Sequence, residues 1–158
     1  MNTNNMEEKN DWSKSVTGVL LRDGKVLLAR HTYGGGKGKL IIPGGYLLIG
    51  ESAEAAVVRE YAEETGVVVK PIGVIGIRFT EKEWYAAFLL DYVSGEARSD
   101  NDENDEVVWL DTAEALIRDD VPDLTKKLIE SAISKNSAMC LTDFAYNREK
   151  GEQTLYCK

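Results

Sequence analysis

The segment from Pro43 to Val69 constrains this chain more than any other: a glycine turn (Pro43-Gly44-Gly45), a loop, a helix and the start of a β-branched strand. On that helix Glu60, Glu63 and Glu64 stand at i, i+3 and i+4, which puts three carboxylates on one face. Like charges so placed destabilise an isolated helix by roughly 0.2–0.5 kcal/mol per pair. A hard cation that takes oxygen ligands would offset the repulsion; a solvated acidic face with no ligand is the alternative. The helix is otherwise well specified. Ser52 is placed to cap its first turn, and Glu51 and Glu54 put negative charge at the positive end of the dipole. Gly66 supplies a left-handed stop, and Val67, Val68 and Val69 favour an extended continuation. Ala55, Val58 and Ala62, flanked by Tyr61 and Thr65, form the stripe expected to meet the core, roughly opposite the acids.

A chain of 158 residues is long enough to bury a real core. Its net charge of −8 argues against a nonspecific nucleic-acid or membrane-surface binder, which would carry a basic face. An anionic substrate would also be repelled unless bound cations or local Lys and Arg residues invert the field. Cys140 and Cys157 make no metal-type cluster and read as reduced, incidental thiols, in keeping with a cytoplasmic protein. No apolar run reaches membrane-spanning length, and the polar, acidic start is unlike a signal peptide.

Residues 1–13 read as a flexible lead-in and 14–158 as a single domain. Val16–Leu21 and Lys25–Ala29 are expected strands of a hairpin around Asp23-Gly24. Leu40–Ile42, Val67–Val69, Gly73–Phe79, Trp84–Tyr92 and Glu106–Leu110 are further strands, with a polar loop over Ser94–Asp105. Thr112 is expected to cap a helix to about Arg118, and Pro122 to open another to about Ser134. In the tail, Asn147–Gly151 reads as a turn and Gln153–Cys157 as a strand. The loop Tyr33–Lys39 carries three consecutive glycines and two lysines but is not a phosphate loop of the Walker type. Tyr33 stands where the first glycine belongs, and Leu40 replaces the hydroxyl residue. It reads instead as a flap from which Lys37 or Lys39 could reach a phosphate. His31, the sole histidine, excludes a polyhistidine metal site. Strands before and after the central helix, with helices towards the C-terminus, imply an α/β protein with helices on both faces of a mixed sheet.

From Gly45 the sequence reads glycine, five residues, Glu51, seven residues, Arg59-Glu60, Tyr61, Ala62, Glu63-Glu64, Thr65-Gly66-Val67. This resembles the Nudix box of the Nudix hydrolases at every fixed position, with Tyr61 where the family more often has an aliphatic residue. The match spans 23 residues. The resemblance implies an α/β/α sandwich around a mixed sheet, and hydrolysis of a nucleoside diphosphate linked to another moiety. It also assigns metal ligation to Glu60, Glu63 and Glu64, gives Arg59 the task of orienting a glutamate, and adds a homodimer as the family habit.

Read from the residues, an all-oxygen ligand set favours Mg²⁺ or Mn²⁺ over zinc, and the carbonyl of Gly44 can join it because a glycine turn lets backbone approach closely. Glu51 is open between helix-terminus electrostatics and metal contact. The general base is open between a box carboxylate, Glu64 above all, and the loop acids Glu103 and Glu106. Arg30, Lys39 and Arg78 are candidate phosphate or base contacts, and Trp84, Tyr33, Phe79 and Tyr85 candidate stacking surfaces. The competing reading is a Nudix-fold ligand-binding or regulatory module without turnover, although the box glutamates are all present.

Overall fold

The computed structural model describes residues 12–158 apart from 135, 137, 147, 148 and 150. The expected lead-in therefore lies outside the described residues except at its end, where Ser13 already belongs to strand β1 (Ser13–Arg22). The turn expected over Asn147–Gly151 also falls largely outside them. β1 turns through Asp23 and Gly24, both with positive φ (52° and 74°), into β2 (Lys25–His31). Two left-handed central residues match the right-handed twist of the flanking strands. After a single 3₁₀ turn at Gly34–Gly36 come β3 (Leu40–Ile41), β4 (Gly44–Tyr46) and helix α1 (Ala53–Thr65). Then follow β5 (Val68–Phe79), β6 (Glu83–Ser94), β7 (Asn104–Asp111), α2 (Thr112–Ile117), α3 (Asp123–Ile133), β8 (Cys140–Leu141) and β9 (Tyr156–Cys157).

Among the described residues one sheet contains seven strands, with a path β3-β2-β1-β6-β5 and with β4 paired to β1 and β7 to β2. Only the β1–β6 pairing is parallel, so the sheet is mixed. β1 explains the layers, because its successive side chains alternate between faces. Val16 and Leu20 pack with Ala56, Val57 and Tyr61 of α1, while Val19 packs with Leu128 and Ile129 of α3 and Ala115 of α2. The result is the expected α/β/α sandwich.

Several local expectations are corrected. The two strands expected over Val67–Val69 and Gly73–Phe79 are one, continuous through Pro71. A proline is tolerated there because β5 ends the sheet path and its register with β6 shifts between Pro71 and Gly73. Thr112 does not cap α2; Asp111 occupies the cap position without a side-chain bond. The core stripe of α1 is also displaced. Ala55 and Ala62 are exposed and Val58 half-buried, whereas Ala56, Val57, Tyr61 and Thr65 are buried together with Glu60 and Glu64. Tyr61 is fully enclosed, and its hydroxyl donates to the Gly18 carbonyl at 2.6 Å, so the aromatic at this position is accommodated with its polar atom satisfied. Two of the three acids therefore lie along the edge of the buried stripe, not opposite it.

Candidate active site

Helix α1 is held at both ends by local chemistry. Ser52 accepts from the Ala55 amide at 3.1 Å, and Gly66 ends the helix at φ 71°. This fixes the azimuth of Glu60 and Glu64, which face the glycine turn of β4. Both glycines there are required by close approach. A Cβ on Gly44 would stand 2.2 Å from the Val16 carbonyl oxygen, and one on Gly45 would stand 2.4 Å from Glu60 Oε1. The missing side chains thus form a cradle that the carboxylates fill.

Glu64 is 2% exposed. Its Oε1 accepts from the Gly44 amide at 3.3 Å, while Oε2 is buried with no partner among the described residues. Burial, abetted by the negative charges of Glu60 and Glu103, pushes its carboxyl up to about 8. Burial also raises Glu60, against the pull of Arg59. Arg59 binds the remaining acids together. It forks onto both oxygens of Glu51 at 2.8 and 2.9 Å and reaches the Tyr46 carbonyl at 3.1 Å. Its third nitrogen meets Glu60 at 2.8 Å and Glu63 at 3.1 Å. Glu51 also accepts from the Leu48 amide at 3.0 Å, and these bonds hold its carboxyl down to about 2. In this structure Glu51 anchors the arginine, and Glu63 projects to solvent with its side chain 60% exposed.

Of these groups Glu60 borders a cavity of about 480 Å³, whose wall also includes the glycine turn of β4. Glu60 and Glu103 stand on its wall, with Gly44, Gly45 and the Gly34–Gly36 turn. His31 and Tyr33, with rings 6.0 Å apart and nearly parallel, lie beside Ile41 and Ile42. Arg78 and Tyr85 also line it, the guanidinium 4.6 Å above the ring. Arg78 is fixed by Glu83, which also accepts from Ser15 at 2.7 Å. Its Nε is buried with no partner among the described residues. Burial lowers the His31 pKa against the opposing charges of Glu103 and Asp100, favouring a neutral imidazole.

The cavity does not gather every residue singled out from sequence. Glu106 and Arg30, opposite each other across β7 and β2, bond at 2.7 Å, and Arg30 goes on to Asp120 and the Gly38 carbonyl. Neither lines the cavity. Lys39 reaches the Asp119 carbonyl at 3.3 Å. Trp84 sits on the other face of β6 from Tyr85, edge-on to Phe79 and Trp12, so strand alternation separates it from the site. Conversely, Asn104 carries no distinguishing signal in the sequence, where a polar residue beside a polar loop reads as more loop. It is fully buried, and its amide donates to the Glu64 carbonyl at 2.8 Å, tying the Glu103 loop to the end of α1.

The residues suit a divalent cation in kind: carboxylate oxygens, one of them buried and unpaired, beside a backbone turn with no side chains in the way. They are not closed around one, since among the described residues no three acidic, thiol or imidazole groups are placed to hold a metal ion together. The profile of the NUDIX domain matches residues 12–131. The chain belongs to the Nudix family. A Nudix hydrolase from Nitrosomonas europaea superimposes with a TM-score of 0.74 at 26% identity, covering 86% of this chain and 97% of that one. An ADP-ribose pyrophosphatase of Methanocaldococcus jannaschii is 33% identical over 94 residues, 56% of either chain. An NAD-capped RNA hydrolase of Klebsiella pneumoniae is 33% identical over 138 residues, 80% of this Nudix chain and 48% of the relative. The matches thus span about half the length of these curated relatives. Among the described residues no helix is long and apolar enough to cross a membrane.

Proposed function

We propose that this Nudix protein hydrolyses the pyrophosphate linkage of a nucleoside diphosphate joined to a second moiety, using Mg²⁺ or Mn²⁺ held by Glu60 and Glu64, with Glu63 and the Gly44 carbonyl as further donors. The observation that carries this reading is the buried, half-unpaired Glu64 against the Gly44-Gly45 turn at the edge of a nucleotide-sized cavity. When bound, the cation neutralises phosphoryl oxygens and lowers the pKa of water. The chain's own residues supply the rest. Arg59 orients Glu60 and Glu63, the glycine turn lets the carboxylates of Glu60 and Glu64 close on the backbone, and Glu64 or Glu103 takes the proton from the attacking water.

The charge of the cavity narrows the substrate class. Arg78 is the one Lys or Arg among the described lining residues, facing Glu60, Glu83 and Glu103. So acidic a wall favours a diphosphate esterified at both ends over a nucleoside triphosphate, which carries more charge. The names of the archaeal and bacterial relatives, with ADP-ribose and an NAD cap, fit that class. A small soluble substrate fits the net charge of −8 better than a long RNA.

The test is a panel of ADP-ribose, dinucleotides, nucleotide sugars and nucleoside triphosphates with Mg²⁺ or Mn²⁺, beside a Glu64→Gln control. Mononucleotide release from doubly esterified diphosphates, lost in the control, is expected. Binding across the panel with no turnover would instead make the protein a ligand-binding module.

A further inference from the structure

Cys140 and Cys157 lie far apart in sequence, yet the fold makes them direct partners. In the antiparallel ladder of β8 and β9, Cys140 faces Cys157 and Leu141 faces Tyr156. The Thr142 amide donates to the Leu155 carbonyl at 2.8 Å, so the 142/155 pair is hydrogen-bonded and the 140/157 pair, two residues on, occupies the same kind of position. Opposed residues project to one face. At such a position Cα atoms stand about 5.5 Å apart, inside the roughly 4.4–6.8 Å range that a disulfide spans. Cys157 Sγ is directed to that face, donating to Thr142 Oγ1 at 3.3 Å. Both thiols are unbridged; Cys140 is exposed and Cys157 partly so.

We infer that Cys140 and Cys157 form a reversible disulfide that clasps β9 to β8. With oxidised glutathione as oxidant, the thiolate of the exposed Cys140 attacks one of its sulfurs, giving a mixed disulfide and releasing one glutathione thiol. The Cys157 thiolate then displaces the second glutathione and closes the Sγ–Sγ bond. Two protein S–H groups and one glutathione disulfide become one protein disulfide and two glutathione thiols, the electron pair leaving with glutathione.

The clasp would join two anchors of the tail. Met139, just before β8, exchanges both backbone bonds with Val74 of β5 (2.9 and 3.0 Å). Tyr156 in β9 packs edge-on to Phe88 at 5.9 Å, and its hydroxyl donates to Glu54 in the first turn of α1 at 2.9 Å. Closing the bond would lock together β8, anchored to an edge strand, and β9, anchored to the helix that carries the acids.

The full chain, equilibrated with oxidised and reduced glutathione, quenched with acid, alkylated and weighed, provides the test. The expected product is a monomer lighter by two hydrogens, unalkylated at both cysteines, with the two cysteine peptides linked and the change reversed by dithiothreitol. Cys140→Ser and Cys157→Ser chains should show no mass loss and instead accept one glutathione on the remaining thiol. A wild-type chain that takes up glutathione at both positions, or links into dimers without the two-hydrogen loss, overturns the inference. No turnover is measured, so the result is independent of the reading of the cavity.

Discussion

Two arginine-centred clusters sit within this fold, and both are rich in acids. Around Arg59 stand Glu51, Glu60 and Glu63, with Glu64 one turn from Glu60; around Arg30 stand Glu106 and Asp120, the latter shared with Arg118. The Arg30 cluster is solvated, its carboxylates 29–45% exposed, and each is paired to a guanidinium. Such pairs are worth about 0–1 kcal/mol each and hold strand and loop together. The Arg59 cluster includes two buried acids, Glu60 and Glu64, and Glu64 has a buried oxygen without a partner among the described residues. Burying an uncompensated carboxylate costs several kcal/mol. Paired, wetted charge is a strut, whereas charge buried in want of a counterion marks a site.

The largest effect expected from this contrast is at Glu64. Glu64→Gln should lower metal-dependent turnover by about a hundred- to ten-thousandfold while leaving the fold intact, because Oε1 still accepts from the Gly44 amide. In chelator, the same variant should be more stable than wild type, and the gap should widen with pH. The sign follows from linkage: a carboxyl raised in the folded state to about 8 from 4.5 holds a proton that the unfolded chain has released, so wild-type stability falls as pH rises between those values. Melting curves from pH 5 to 8 with EDTA check this; a wild-type curve parallel to that of Glu64→Gln would show that Glu64 is not held protonated, and saturating Mg²⁺ should close the gap.

How much of this was legible in sequence varied with the kind of residue. The hairpin, the capped helix and the box spacing could be read because turns and caps are local: Asp23-Gly24, Ser52 and Gly66 each act within a few residues. The inner stripe of α1 could not. Apolar periodicity places charged positions outward, and this helix turns Glu60 and Glu64 inward, where function and propensity conflict. Separating Arg78 from Arg30, or Glu103 from Glu106, depended on strand pairings made far along the chain. Asn104 pairs with His31 across a register shift in β7 and β2, which no local signal announces.

The two glycines of β4 sharpen the comparison from the backbone side. Gly45→Ala pushes a methyl group against the carboxylate of Glu60, the mobile end of a side chain. The protein should fold, with metal affinity and turnover down about ten- to a hundredfold. Gly44→Ala drives its methyl group into the Val16 carbonyl, which cannot give way, and should lower the melting temperature or prevent folding. Measuring Mn²⁺ affinity beside melting temperature separates the two. Equal melting losses without an affinity change at Gly45 would mean that Glu60 is not a ligand.

The smallest effects distinguish the acids of the 103–106 loop. Glu106→Gln breaks an ion pair whose carboxylate is 45% exposed, so stability should fall by no more than about 1 kcal/mol, with the pH–rate profile unchanged. Glu103 shares no such strut. It faces the cavity, its carboxylate accepting among the described residues from the Tyr33 hydroxyl at 3.4 Å, and the loop beneath it is tied down by Asn104 and by Thr32, which donates to the Asp102 and Glu103 carbonyls. Glu103→Gln should therefore leave stability nearly untouched. If Glu103 accepts the water proton, its loss removes the acidic limb of the profile and lowers turnover by about a hundredfold or more. If Glu64 does, the limb persists in Glu103→Gln and the rate falls little. Either result leaves Glu106 as the control, and an altered profile there would break the distinction between strut and site from which these expectations were drawn.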